Sequence, residues 1–418
     1  MKIVFLVDAR SAISRNWIRH FVERGHQVHV ISSYPCAPDV ISDVENIYQF
    51  PIAFSGFSRI DHNGTFGSRK RKSLLTRGLA NLRSGALSQL SITIRSWLGP
   101  LELNLHARRL RELITEISPD IVHAMRIPFE GIMAAKSMPA GLPLIISVWG
   151  NDFTLFAASN PLISRQTKMA LQRADALHCD CRRDLQLAIR DWGFDSKKAS
   201  TVLPGSGGVR TSVFYPAPAS DFRKRLNISN DAPVVINPRG FRTYVRNDIF
   251  FQAIPLVLKQ RPEAVFVCTG MRANPVAEKW ASEFGIKDNV RLLPVVSHDE
   301  MADLFRAAEV TVSPSQHDGT PNTLLEAMAC GCFPVAGNIE SVREWITDGE
   351  NGLLCDPTDK ESIARAILRA FEDHALRDKA RDYNLSLVTE KAEYNSVMTK
   401  AEEFYHQVAQ ATARSVQV

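Results

Sequence analysis

Short apolar runs alternate with amphipathic helical patterns along most of the chain. Runs rich in Val, Ile and Leu are typical of buried parallel strands. The first such unit has a strand over residues 2–7, a helix over residues 16–24 that ends at Gly25, and a strand over residues 27–32. This alternation predicts α/β domains with parallel sheets and right-handed crossovers.

The alternation stops at a Gly- and Pro-rich crossing that starts at Pro204 and then restarts. Such a segment is typical of a domain boundary. We therefore predict two Rossmann-like, doubly wound domains facing a cleft, an N-terminal one over 1–203 and a C-terminal one over 204–385. Residues 386–418 are helical by pattern, and this helix is expected to pack back on the N-terminal domain.

The alternation of strand and helix patterns is also interrupted between residues 51 and 99. The segment 69–97 opens with four consecutive basic residues and continues as an apolar and basic stretch with rough helical spacing. Such a pattern is typical of a weak interfacial membrane anchor. An ordinary surface helix packed on its own domain, beside a solvated basic loop, also explains it, so both interpretations stay open.

Charge is unevenly spread along the 418 residues: residues 1–200 hold 26 Lys and Arg against 17 Asp and Glu, and the rest hold 24 against 28. A basic first half favours an anionic surface or acceptor, with lipid phosphate ahead of nucleic acid because no aromatic-interleaved basic motif is present. No run approaches the roughly 20 apolar residues of a membrane span. We expect a cytoplasmic protein with at most peripheral contact at the inner face of the membrane.

The seven cysteines do not predict a disulfide framework. Cys179 with Cys181 and Cys330 with Cys332 form C-x-C pairs, whereas zinc ribbons and redox sites use C-x-x-C. Small buried thiols in a reducing compartment are the expected state. No metal site is predicted.

Candidate chemistry concentrates in residues 310–336. A buried strand runs to Pro314, a polar loop follows to Pro321, and Asn322 is predicted to cap a helix that Gly331 ends. Backbone N–H groups at such a helix N-terminus can bind an anion.

Two acids and two arginines are expected at this sheet edge. Asp318 lies in the loop and Glu326 on the helix, while Arg239 follows a strand and Arg246 precedes a helix. Two guanidinium groups can bind a diphosphate, and a carboxylate suits the vicinal hydroxyls of a ribose. These residues indicate a nucleotide-sugar binder, although the helix alone is explained equally by a capped helix with a solvated acid.

The first domain offers weaker candidates. The turn DARSAIS contains no glycine and therefore is not a dinucleotide fingerprint. Arg10 and Ser11 in this turn are either ligand contacts or solvated loop residues. His123 and Trp149 follow strands at the edge where sites form, and for His123 a structural role is as plausible as a catalytic one.

The string HDGTPNTLLEAMACG, with PRGF and VRND upstream and GNIESVREWITDGENGLL downstream, resembles the retaining glycosyltransferases of family four, which have the GT-B fold. The resemblance spans most of residues 230–360. It implies that Glu326 binds the donor ribose and that Asp318, where a Glu is usual, bonds a sugar hydroxyl. Arg246 stands where a lysine is common. The first domain departs more, because His123 is followed by Met125 where His-x-His is frequent.

The resemblance assigns catalytic roles to Asp318 and His123. It assigns donor binding to Arg239, Arg246, Gly319, Thr320, Pro321, Asn322, Thr323, Leu324 and Glu326.

The implied activity is metal- and cofactor-independent transfer, with retention, from a nucleotide-diphosphate sugar to a glycan or lipid-linked acceptor in surface polysaccharide or glycoconjugate synthesis. A nucleotide-sugar epimerase or hydrolase of GT-B fold and a non-catalytic nucleotide-sugar-binding protein are the alternatives.

Overall fold

The computed structural model describes residues 1–51 and 106–416 in two compact units. The first unit comprises 1–206 together with 398–418, and the second comprises 207–397. The predicted interfacial segment 69–97 lies outside the described residues. Among the helices that the structure describes, none combines the length and apolar composition needed to cross a bilayer.

The described part of the first unit is built on a seven-stranded sheet in the order β3-β2-β1-β4-β5-β6-β7, and every pairing is parallel. The strands are β1 (Lys2–Val7), β2 (Gln27–Ser32), β3 (Asn46–Gln49), β4 (Ile121–Ala124), β5 (Leu144–Val148), β6 (Ala176–Cys179) and β7 (Ala199–Val202). The predicted parallel sheet is confirmed, but the partly exposed edge strands β3 and β7 were not predicted.

Helices cover both faces of this sheet. They are Ala12–Glu23, 106–117, Glu130–Ser137, Pro161–Arg173 and Arg182–Arg190, with a π-helix at Asp152–Ala157. The first helix begins four residues earlier than predicted because the Ser11 side chain accepts from the Ser14 N–H and caps it. The last helix, Tyr394–Val416, joins the first unit from Met398 onward.

The second unit contains a six-stranded parallel sheet in the order β10-β9-β8-β11-β12-β13. Its strands are β8 (Val234–Asn237), β9 (Val265–Cys268), β10 (Val290–Leu292), β11 (Val310–Ser313), β12 (Phe333–Gly337) and β13 (Leu353–Cys355). The order reverses between β8 and β11, which is the topological switch point where doubly wound sheets bind ligands beyond the strand ends.

Alternate residues of β8 enter two different cores, one on each face of the sheet. Val235 packs with Phe250 and Ile254, whereas Ile236 packs with Phe305 and other residues of the opposite layer. The α-helices of this unit are Phe222–Arg225, Asn247–Leu258, Pro275–Glu283, His298–Ala307, Asn322–Ala329, Glu340–Arg343, Lys360–Glu372 and His374–Ala392, and Thr243–Val245 is a 3-10 turn. A sheet buried on both faces explains why its strands are continuous apolar runs.

Candidate functional site

The loops after β8 and β11 meet at the switch point of the second sheet. Asn237 ends β8, and its amide accepts from the Arg239 N–H at 3.2 Å and donates to Asn247 Oδ1 at 2.9 Å. Asn247 in turn donates to the Gly240 carbonyl at 2.8 Å. Both asparagines are buried, so this network fixes the loop that carries Arg239. Sequence reasoning missed the pair, although an asparagine at the end of an apolar strand was the available signal.

Arg239 and Asp318 are brought together from these two loops. Arg239 Nη2 lies 2.7 Å from Asp318 Oδ2, and the side chains are 10% and 15% exposed. Neither Arg239 Nε nor Asp318 Oδ2 makes a well-aligned hydrogen bond within the described structure, despite the short ion-pair distance. Hydrogen-bonding capacity is therefore available on both groups.

The loop after β11 is held from several sides. The Gln316 N–H donates to the Tyr244 carbonyl at 2.9 Å. Ser341 Oγ donates to the Asp318 carbonyl at 2.7 Å, and Trp345 Nε1 donates to Thr320 Oγ1 at 3.2 Å. These contacts from the segment after β12 position the backbone of the loop before any ligand binds. Ser341 and Trp345 were not singled out from the sequence.

The helix Asn322–Ala329 starts without a side-chain cap. Pro321 is the N-cap residue and Asn322 is the first helical residue, so the prediction that Asn322 caps the helix is wrong. The Asn322 Oδ1 and Thr323 Oγ1 atoms are buried and make no hydrogen bond within the described structure. The first N–H groups of any helix lack intrahelical partners, and with no side chain bonded to them this end can accept an anionic ligand.

Glu326 lies on the first turns of the same helix, between the buried Leu325 and Ala327. Burial raises the pKa of its carboxyl group to about 7, and the positive charge of Arg239 acts in the opposite direction. Glu326 is therefore electrostatically linked to the Arg239–Asp318 pair. A large upward shift of a carboxyl pKa, caused by burial beside a charged partner, is typical of a functional position.

Arg246 is engaged locally. Its guanidinium forms a two-pronged contact with Asp248, with both N–O distances at 3.0 Å. Its backbone is left-handed, with φ +55°, immediately before the helix Asn247–Leu258. A phosphate would have to compete with Asp248 for this side chain.

His123 lies in the interior of the first unit, on the face of the sheet covered by the last helix. It is fully buried, and its two ring nitrogens contact Tyr405 Oη and Ser147 Oγ. Ser147 also contacts His178, whose other nitrogen donates to the Leu203 carbonyl at 2.9 Å. Burial lowers the pKa of His123 well below 6.5 and that of His178 to about 4, so both rings are neutral near pH 7. The geometry gives His123 a structural role, and its catalytic role stays a prediction.

The DARSAIS turn is satisfied within the first unit. Arg10 forms a two-pronged ion pair with Asp8 at 2.9 Å and lies over the Tyr34 ring. Ser11 caps its helix. A ligand at this turn would have to displace these contacts.

Buried acids follow β5 and β6, where sequence reasoning had noted only Trp149. Asp152 pairs with Arg126 at 2.8 Å, and Asp184 pairs with Arg183 at 2.7 Å. Asp180 accepts from the Gly150 N–H at 3.2 Å. The pairs fix the two loops at this sheet edge.

The structural comparisons identify the fold of the protein. Sucrose-phosphate synthase from Thermosynechococcus elongatus aligns with a TM-score of 0.75 and 16% identity, covering 98% of this chain and 100% of that one. Anabaena HepE in complex with UDP aligns with a TM-score of 0.68 and 15% identity, covering 97% and 100%. The two Rossmann-like units therefore have the GT-B fold.

The sequence comparisons identify the family. Residues 219–386 match the family model "Glycosyl transferases group 1", and residues 11–205 match the model "Glycosyl transferase 4-like domain". The chain belongs to the group 1 glycosyltransferases. The D-inositol 3-phosphate glycosyltransferase of Streptosporangium roseum is 30% identical over 221 residues, which is 50% of each chain. The match thus spans about half the length of that curated relative.

Proposed function

We propose that this protein transfers a glycosyl group from a nucleoside-diphosphate sugar to a hydroxyl group of an acceptor, with the donor bound at the switch point between β8 and β11. The observation that carries the proposal is a group of buried polar side-chain atoms without hydrogen-bond partners at this point. Its members are Arg239 Nε, Ser315 Oγ, Asn322 Oδ1 and Thr323 Oγ1.

Buried polar atoms in native proteins are nearly always satisfied, since leaving one unpaired costs about 1–3 kcal/mol. Several such atoms around one uncapped helix end therefore favour a ligand that supplies many donors and acceptors. A sugar nucleotide has phosphate oxygens for the helix end and for Arg239, and hydroxyl groups for the carboxylate and amide oxygens. Contacts from Tyr244, Ser341 and Trp345 hold the loop between β11 and the helix in place for such a ligand.

The donor is proposed to lie along the loop in a defined direction. Its diphosphate occupies the N-terminus of the helix with Arg239, while Arg246 contributes after exchange with Asp248. Glu326 accepts from the vicinal hydroxyls of the ribose. Asp318 accepts from a hydroxyl of the transferred sugar, and backbone groups from Gly319 to Leu324 line the path between them.

The transfer breaks the bond between the anomeric carbon and the diphosphate and forms a bond from that carbon to the acceptor oxygen, whose proton leaves with the diphosphate. Negative charge grows on the diphosphate as the old bond breaks, and Arg239 and the helix dipole stabilise it. The same groups perform this task without a metal ion. Retention of anomeric configuration is proposed from the family resemblance, with no side chain assigned as a nucleophile.

Solved structures of proteins with a similar fold support this choice of donor. Structures of Anabaena HepE contain UDP, UDP with glucose, and UDP-glucose. The acceptor is proposed to be a glycan or a lipid-linked sugar used for surface polysaccharide or glycoconjugate synthesis, reached at the membrane surface by the basic first half of the chain. Co-sedimentation with anionic vesicles tests that last point, and recovery of all protein in the supernatant would contradict it.

Titration calorimetry with UDP-, GDP- and ADP-sugars tests the donor site. We expect one sugar nucleotide to bind and Arg239→Ala to weaken it at least about tenfold, since two-pronged charged hydrogen bonds to phosphate are lost. Arg365→Ala is the matched control, because Arg365 is 71% exposed on another helix of the same unit. Equal affinity of Arg239→Ala and the wild type, with both variants folded, would exclude the proposed site.

Product analysis then tests the reaction. We expect the nucleoside diphosphate and a glycosylated acceptor to appear together, with the anomeric configuration of the donor kept. Release of free sugar without acceptor would instead support a hydrolase, and donor binding without turnover on any acceptor would support a binding protein.

A further inference from the structure

Three potential metal ligands meet in the first unit, on elements far apart in sequence. Glu402 and His406 lie one turn apart on the helix Tyr394–Val416, where residues at this spacing share a face. His26 follows the helix Ala12–Glu23 after Gly25. Each residue offers one ligand atom, and these atoms all lie within 4.8 Å of one another.

The distance between His26 and Glu402 is close to the separation of two ligand atoms in a zinc site. His26 Nε2 lies 3.0 Å from Glu402 Oε1. Bonds of about 2.0–2.1 Å in a tetrahedral arrangement place neighbouring ligand atoms about 3.3 Å apart. His406 is exposed, so its ring can move by the remaining distance, which is at most about 1.5 Å, through side-chain rotation.

The second oxygen of Glu402 is held in place by other groups. Glu402 Oε2 lies 3.2 Å from His20 Nε2 and 3.1 Å from Arg24 Nε. These contacts orient the carboxylate with Oε1 toward His26, as second partners of metal-binding groups commonly do. The charge of Arg24 opposes a cation, but its side chain is 62% exposed and therefore well screened by solvent.

A second cluster of potential ligands in the described residues has a different character. Asp180, Cys181 and Asp184 also lie within 4.8 Å of one another. Burial raises the pKa of the Cys181 thiol well above 9.0, whereas metal binding requires the thiolate. Asp184 is already bound by Arg183 at 2.7 Å. We therefore assign no metal to this second cluster.

We propose that His26, Glu402 and His406 bind Zn²⁺, with water at the fourth position, and that the ion fastens the last helix to the rest of the first unit. Two imidazoles and a carboxylate are a ligand set that zinc accepts. Binding replaces the direct contact between His26 Nε2 and Glu402 Oε1 and fixes three side chains from two distant segments. The proposal does not depend on the donor site, which lies in the other unit.

Metal binding by the full chain, stripped of metal with a chelator, tests this proposal. We expect one Zn²⁺ per chain by calorimetry, one Co²⁺ per chain with visible absorption typical of four-coordinate cobalt, and a rise in the unfolding temperature on adding Zn²⁺. His406→Ala should weaken the binding of both metals at least about tenfold. Because His406 is exposed, this variant leaves the contacts of Glu402 with His20, Arg24 and His26 intact.

His374→Ala is the matched control, since His374 is an exposed histidine on a helix of the second unit. It should bind Zn²⁺ as the wild type does. Absence of saturable binding, or equal affinity of His406→Ala and His374→Ala, would overturn the proposal. Circular dichroism of both variants without metal separates loss of the site from loss of the fold.

Discussion

Protonation of Glu326 links the stability of the second unit to its ligand site. Burial raises the pKa of this carboxyl group from 4.5 to about 7. The folded protein therefore holds the proton more tightly than the unfolded chain does. The free energy of unfolding is therefore highest below pH 4.5, the pKa of this group in the unfolded chain. It falls as the pH rises from 4.5 to about 7 and stays at the lower level above that, because the buried carboxyl group is then charged.

Glu326→Gln removes this ionisation and keeps nearly the same volume. The difference between a pKa of 4.5 and one of about 7 corresponds to about 3 kcal/mol at ~1.36 kcal/mol per pH unit. The side chain keeps partial contact with solvent, which reduces the effect to about 2 kcal/mol. We expect the variant to match the wild type near pH 4.5 and to exceed its stability by that amount near pH 8.5.

Urea unfolding at a series of pH values and constant ionic strength measures this difference. Glu340→Gln is the control, because Glu340 is exposed on a neighbouring short helix, and it should follow the wild-type profile. The stabilised Glu326→Gln protein should also bind the donor more weakly, since an amide is a poorer acceptor for two ribose hydroxyls. A stability difference that is constant with pH would refute the argument that burial acts on this carboxyl group.

Three further changes test the packing and the site. Gly208→Ala should lower the unfolding temperature, measured by circular dichroism, by about 4–8 °C or more. The backbone of Gly208 has a φ of +91°, and an added Cβ would overlap the Ala392 carbonyl oxygen. An unchanged unfolding temperature would contradict this. Tyr405→Phe should cost about 1–3 kcal/mol in urea unfolding, because the buried His123 loses a partner, and wild-type stability would show that this contact contributes nothing. Asp318→Asn should reduce the preference for a sugar nucleotide over the free nucleotide diphosphate in calorimetry, and an unchanged ratio would remove Asp318 from the sugar site.

The interior of the fold follows from the sequence because burial leaves a clear local pattern. The predicted bounds of β1 and β2, residues 2–7 and 27–32, are confirmed, since each is a mostly apolar run between polar or turn residues. The strands β3 and β7 lie at the edges of their sheet and are partly exposed. Their sequences therefore lack the apolar run on which the prediction depends.

The candidate site was only partly predictable because its contacts join distant segments. The sequence placed Arg239 and Asp318 at one sheet edge, which the structure shows as an ion pair. It did not place Ser341 or Trp345 beside the loop, since side-chain contacts across loops leave no periodic signal. Likewise, no spacing rule connects His26 to a helix that begins 368 positions later, at Tyr394.

The error at Asn322 has a physical explanation in the site itself. Asparagine normally caps a helix by accepting from its first N–H groups. Here the helix begins after Pro321, and the Asn322 amide oxygen is left without a partner. Departures from local preference are expected where a ligand completes the structure. The missing cap is thus consistent with the proposed diphosphate position.

Because of the Arg239–Asp318 ion pair, we expect the proposed site to bind a sugar nucleotide in preference to a free nucleotide diphosphate. Without ligand, the guanidinium lies 2.7 Å from the carboxylate, and both side chains are largely buried. A diphosphate that takes the guanidinium leaves the carboxylate unpaired, and an unpaired buried charge is strongly unfavourable. Hydroxyl groups of the donor sugar can then donate to it. Phosphate binding and sugar binding are therefore coupled through one ion pair. The short aspartate side chain keeps its contact with the arginine until the diphosphate and the sugar hydroxyl groups bind together.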